Sequence, residues 1–171
     1  DCIWSGGRIS YVNNDPDKVF SLVKKYNISA RLTFSNSMIC QEHFSDLRCN
    51  ELCRLLSEIN GNGVIVHSDV LLEYLKEKYP NLYFVSSTTK VLVDFNELIA
   101  EVNRDDFSYV VIDFRLNKAF AQLETLNQMQ KDKVEFLCNE CCWIGCKDRK
   151  KCYETVSRQN LGIDCADHVC K

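Results

Sequence analysis

Apolar residues recur along this chain in two rhythms, one helical and one strand-like, and the two alternate. Asp15 and Pro16 suit the cap and first turn of a helix. Val19, Leu22, Val23 and Tyr26 then follow at i, i+3, i+4 and i+7, the spacing of one helical face. Arg31-Leu32-Thr33-Phe34 reads as a short buried strand running out into Ser35-Asn36-Ser37. A second helix is expected over 46–59, with Leu52, Leu55, Leu56 and Ile59 inward and Gly61 placed to end it in the left-handed conformation. Val64-Ile65-Val66 is the next strand, ending in His67-Ser68, and residues 69–79 read as helix with Pro80 just beyond. Leu82-Tyr83-Phe84-Val85 is the third strand, ending in Ser86-Ser87-Thr88-Thr89-Lys90.

Asp94 and Glu97 resemble a capping box ahead of Phe95, Leu98, Ile99 and Val102. Tyr109-Val110-Val111-Ile112 is the fourth strand, ending in Asp113-Phe114-Arg115. Asn117 caps a helix expected to bury Phe120, Leu123 and Leu126. Val134-Glu135-Phe136-Leu137 is the fifth strand and runs into Cys138-Asn139-Glu140-Cys141-Cys142, after which 149–160 reads as helix. Alternation about every 20–30 residues is the spacing of βαβ units and implies a mainly parallel sheet. The expected fold class is α/β: a (β/α) barrel or partial barrel with parallel strands and outer helices, with an open doubly wound sheet as the alternative. Asp1-Cys2-Ile3-Trp4-Ser5-Gly6-Gly7 reads like a loop after an absent strand. Residues 1–161 are therefore expected to form a single barrel-like domain lacking N-terminal strands, followed by an irregular cysteine-containing tail, 162–171.

A length of 171 residues suits one domain, and 46% hydrophobic with 26% charged residues excludes disorder and collagen-like repeats. The net charge of −3 argues against general nucleic-acid binding and against a membrane-surface role, since both need a basic face. Nothing approaches the roughly 20 apolar residues of a membrane span. Neither G-x-G-x-x-G nor G-x-x-x-x-G-K-[ST] occurs, and Gly61-Asn62-Gly63 precedes its strand, so the dinucleotide and P-loop readings weaken. The oligomeric state has no signature.

Eleven cysteines are the anomaly. At about 6% they fall short of the roughly 8–10% of small disulfide scaffolds, and their odd count forbids complete internal pairing. A reducing, cytoplasmic setting with several cysteines on a metal is the expectation. Segment 138–146, continuing to Cys152, offers C-x-x-C and C-x-x-x-C spacings in one loop. Crowded thiolates repel one another, and a soft cation or an iron–sulfur core relieves that repulsion. Cys142 and Cys146 are the first candidate ligands, followed by Cys152, Cys2, Cys138 and Cys141. Cys165, His168 and Cys170 form a weaker group. Cys49 and Cys53, one helical turn apart, read as core or surface thiols, and Cys40 is uninformative. The neighbouring Lys147, Arg149, Lys150 and Lys151 would offset the charge of a thiolate-rich cluster, or else form a solvated basic helix start.

Functional groups in parallel α/β folds gather at the carboxyl ends of strands. There, Glu140, Asp113 and His67 are candidate proton carriers. Lys90, Arg115, Asn36, Ser87 and Asn139 are candidate contacts to a small anionic substrate, and Arg115 is shaped for bidentate binding.

Asn139-Glu140-Cys141-Cys142 leading to Cys146 resembles the cysteine-bearing strand end of the collagenase-like peptidase family. The segments 64–68, 82–88 and 109–113 resemble its successive barrel strands, and the likeness spans roughly residues 30–160. The resemblance implies a (β/α) barrel with a four-cysteine 4Fe-4S cluster. It also implies the oxygen-independent hydroxylation of RNA bases or quinone precursors in which family members are implicated. Two alternatives remain: a zinc-binding structural or interaction domain, and a secreted, disulfide-stabilised binding domain.

Overall fold

Strands and helices alternate as the apolar rhythm requires in the computed structural model, which describes residues 2–7, 15–140 and 142–166. The order is α1 (Pro16–Tyr26), β1 (Arg31–Phe34), α2 (Leu47–Ser57), β2 (Gly63–Val66), α3 (Asp69–Lys78), β3 (Tyr83–Ser86), α4 (Phe95–Val102), β4 (Tyr109–Val111), α5 (Phe120–Glu124), α6 (Gln128–Lys133), β5 (Val134–Glu135) and α7 (Arg149–Asn160). Single 3-10 turns cover Gln41–Ser45, Thr88–Lys90 and Phe114–Leu116. The helix starts are fixed chemically. The Asp15, Asp46, Ser68 and Asp94 side chains each accept from a backbone N–H of the first turn. Gly61 adopts a φ of +81°, as its turn requires.

All strand pairs are parallel and the sheet order is β1-β2-β3-β4-β5. Doubly wound sheets reverse their order at a switch point. Among the described strands there is no such reversal. Phe34, Val64, Val66, Phe84 and Val110 share one face and join Cys49, Cys53, Leu56, Leu71, Leu75 and Leu98 of α2, α3 and α4 in a single core. On the other face Thr33 is exposed and Ile65 and Val111 are half-buried.

The sheet is curved. Strands sit about 4.8 Å apart, so β1 and β5 would lie about 19 Å apart in a flat sheet. Yet Arg31 of β1 donates from Nη1 to Glu135 Oε2 of β5 at 2.7 Å, with its guanidinium 5.3 Å from the Tyr83 ring and 4.9 Å from the Tyr109 ring. Two side chains bridge that distance only if the edges curl towards each other. The backbone ladder does not close among the described residues, which form an open five-stranded parallel α/β sheet with helices packed on it.

Three expected details differ. On α1, Phe20 and Val23 are buried, whereas Val19 (48%), Leu22 (50%) and Tyr26 (62%) are exposed, so the helix packs on a narrower stripe than its apolar spacing suggests. Phe120 is 65% exposed because α5 has only five residues and turns Leu123 towards the core instead. β5 ends at Glu135, and Phe136 faces outward as the chain leaves the sheet.

The segment 2–7 packs against the end of β1 and does not dangle. Trp4 is fully buried, edge-on to Phe34 at 5.2 Å and to Tyr74 at 5.9 Å, and its Nε1 donates to the His43 carbonyl. Asn36 donates from its backbone N–H to the Trp4 carbonyl and from Nδ2 to the Ile3 carbonyl. Gly6 lies so close that a Cβ there would come within 2.5 Å of the Ser35 carbonyl oxygen. α7 buries Arg149, Cys152, Val156 and Ser157, spaced as one helical face, over the carboxyl ends of the strands. Among the described residues no helix is long and apolar enough to cross a membrane.

Candidate functional site

The carboxyl ends of β4 and β5 hold a cluster built around two arginines. Asp113 follows β4 and is 1% exposed. Its Oδ1 accepts from the Arg115 backbone N–H (3.0 Å) and Nε (2.6 Å), and its Oδ2 accepts from Arg115 Nη2 (3.0 Å). Arg115 Nη1 reaches the Cys146 carbonyl at 3.2 Å, which ties the cysteine loop to the strand end. Arg149, 3% exposed at the start of α7, places Nε 3.3 Å from Asp113 Oδ2. That contact is an ion pair without hydrogen-bond alignment, and the buried Nε has no hydrogen-bond partner. Its Nη2 donates to Glu140 Oε2 at 2.7 Å, and Glu140 Oε1 accepts from the Cys142 backbone N–H at 3.0 Å. The Phe114 and Tyr153 rings lie 4.7 and 5.1 Å from the Arg149 guanidinium.

Two thiols stand at this cluster. Cys146 closes a turn through its N–H to the Trp143 carbonyl, and its thiol is near enough to that of Cys142 to act on it electrostatically. Burial pushes the Cys142 thiol up, Arg149 pulls it down, and the Cys146 thiol adds to the rise. Burial also pushes Tyr153 up to about 12, so its hydroxyl stays protonated at neutral pH.

Among the described residues none of the other expected ligands completes a three-donor group with this pair. Cys138 is exposed, with its sulfur 3.9 Å from the Phe136 carbonyl oxygen. Cys152 is buried on α7. Cys2 lies against Cys49 of α2, beside the amino-terminal segment. Cys165 contacts the Thr155 carbonyl at 3.9 Å. Cys141, His168 and Cys170 lie outside the described residues. Among the described residues no three His, Cys, Asp or Glu side chains converge on one ion position. The Cys142–Cys146 pair nonetheless suits a soft cation: two adjacent sulfur donors lie beside a guanidinium able to balance thiolate charge.

The polar strand ends are committed elsewhere. Asn36 is fully buried and donates to the Ile3 and Ser157 carbonyls. Ser87 caps the 3-10 turn by accepting from the Thr89 N–H. Lys90 pairs with Glu101 at 2.6 Å and with Asp69 at 3.5 Å, and Glu101 also accepts from the Ser86 hydroxyl. His67 Nδ1 meets the Thr89 hydroxyl at 2.8 Å. Burial, then Lys90 and Lys150, pushes its pKa down to about 4, so the imidazole is neutral at pH 7. Asn139 is exposed. Lys90 and Arg115 thus already have carboxylate partners, and the charge expected for an anionic substrate is neutralised within the chain.

Of the four basic residues that follow the cysteine loop in sequence, the structure singles out Arg149 and makes it the centre of the cluster. One signal was there: a cation in the first turn of a helix opposes the macrodipole, so its charge must be used elsewhere. Glu101, the buried partner of Lys90, was hidden because its position belongs to the inward stripe of α4 with Leu98 and Val102.

No family model matches this chain, and neither a curated protein nor a solved structure matches it.

Proposed function

We propose that this chain is a thiolate-centred α/β protein that holds a soft metal centre at the carboxyl ends of its parallel strands. The observation that carries the reading is that Glu140 and Arg115 hold the Cys142 and Cys146 backbone at the buried Arg149. Cys142 and Cys146 would bind the metal, and the exposed Cys138 would have to swing in, together with Cys141, to complete four sulfur donors. Four thiolates suit either a 4Fe-4S cluster or zinc. The resemblance to the collagenase-like peptidase family favours the cluster. It also favours completion of the curved sheet into a (β/α) barrel, and the Arg31–Glu135 contact supports that curvature. A bound cluster would supply one-electron chemistry. The chain's own part is to hold the loop. Arg115 anchors the Cys146 carbonyl, Glu140 fixes the Cys142 backbone, and Arg149 balances negative charge on sulfur. The neutralisation of Lys90 and Arg115 argues for a metal-holding role before an anion-binding one. A reducing, cytoplasmic setting suits such a centre.

Anaerobic purification followed by iron, zinc and acid-labile sulfide analysis tests this. Iron and sulfide in equal amounts, lost in Cys142→Ser and Cys146→Ser, support the cluster. Zinc near one per chain without sulfide supports the structural alternative. A metal-free folded protein, with every thiol of the loop open to alkylation, overturns both.

A further inference from the structure

A second thiol pair joins segment 2–7 to the first turn of α2. The Sγ atoms of Cys2 and Cys49 are 2.8 Å apart. That is inside non-bonded sulfur contact, although wider than the roughly 2.05 Å of a disulfide bond. Their 47-residue separation in sequence makes the contact a product of the fold. Cys2 is positioned by the buried Trp4, by the two bonds from Asn36, and by the Ser5 N–H donating to its own carbonyl. Asn160 of α7 holds the next turn through the Ser5 carbonyl at 2.6 Å. Cys49 is fixed in the first turn of α2, where its N–H donates to Asp46 Oδ1 at 2.7 Å. Exposure divides the two roles: Cys2 is half-buried and open to solvent on one side, and Cys49 is completely buried.

We propose that Cys2 and Cys49 form a redox-active dithiol, which a small-molecule or protein disulfide oxidises to an intramolecular disulfide that fastens segment 2–7 to α2. The Cys2 thiolate attacks one sulfur of the incoming disulfide, forms a mixed disulfide and expels the first thiolate. Cys49, after losing its proton to solvent, attacks the Cys2 sulfur and expels the second. Two protein thiols are oxidised to one bond, and the external disulfide is reduced to two thiols. Hydrogen bonding from Cys49 lowers the Cys2 thiol and raises that of Cys49, which suits attacking and resolving roles respectively. Cys53, one turn further along α2, is fully buried, and burial pushes its thiol up, so it stays a core thiol. This site is independent of the proposed metal centre.

The test treats the full chain with oxidised glutathione, blocks the remaining thiols with N-ethylmaleimide, and maps the peptides without reductant by mass spectrometry. The expected product is a peptide pair joined through Cys2 and Cys49 that dithiothreitol separates. It should persist in Cys53→Ser, and in Cys49→Ser the reaction should stop with glutathione on Cys2. Alkylation of both Cys2 and Cys49 after oxidation, or a Cys2–Cys53 link, overturns the proposal. Modification confined to the 138–146 loop also overturns it, while leaving the metal reading to its own test.

Discussion

The amino end of β1 and the carboxyl end of β4 each carry an arginine held by carboxylate and aromatic rings, and the solvent treats them differently. Arg31, the first residue of β1, reaches across the curled sheet to Glu135, the last residue of β5, with 28% of its side chain exposed and 31% of its partner's. At the carboxyl end Arg149 (4% exposed) faces Asp113 (0%) and Glu140 (16%). The same chemistry is therefore a screened surface clasp at one end and a buried charge system at the other. A buried arginine with an unsatisfied Nε is a costly feature.

Substitution sharpens the comparison. Arg149→Met leaves Asp113 and Glu140 facing an apolar side chain, and the account expects a loss of about 3–5 kcal/mol in urea unfolding. Next comes His67. Above pH 6.5 folded and unfolded chains both carry it neutral, so it does not affect stability. Between pH 6.5 and about 4 the unfolded chain takes up a proton that the folded one refuses, so stability falls as acid is added, and the loss saturates below about 4. The expected loss is up to about 3 kcal/mol at the acid end. It is measured as the difference in pH dependence between the parent and His67→Asn. Arg31→Met should cost about 1 kcal/mol, because exposed pairs are weak even with ring contacts. Equal losses from Arg31→Met and Arg149→Met would remove the distinction between the two ends. Cys142→Ser should change the unfolding of the metal-free protein by under about 0.5 kcal/mol, since it is a near-isosteric swap at a half-buried position.

Much of the scaffold was legible because burial and periodicity are local signals. The strand cores Phe34, Val64, Val66, Phe84 and Val110 lie in the strands their apolar runs predict, and Leu98 and Val102 lie on the buried face expected of α4. The site was legible only in part. Cys142, Cys146, Asp113, Arg115 and Glu140 come together as the strand-end rule requires. Cys2 goes elsewhere because contacts of Trp4 and Asn36 across more than thirty residues decide its place, and no local pattern encodes them. Lys90 looked like a free cation because its partner, Glu101, sits on another helix. α1 misled for a simpler reason: of the four residues on its expected face only Val23 is buried, and the helix turns Phe20 inward instead.

X-ray absorption at the iron and zinc edges of the anaerobically isolated chain tests the central claim most directly. The account predicts a bound metal whose first shell is sulfur at about 2.3 Å, and loss of that shell when Cys142 and Cys146 are replaced by serine. A first shell of oxygen and nitrogen alone, or no metal in a folded chain, would contradict it.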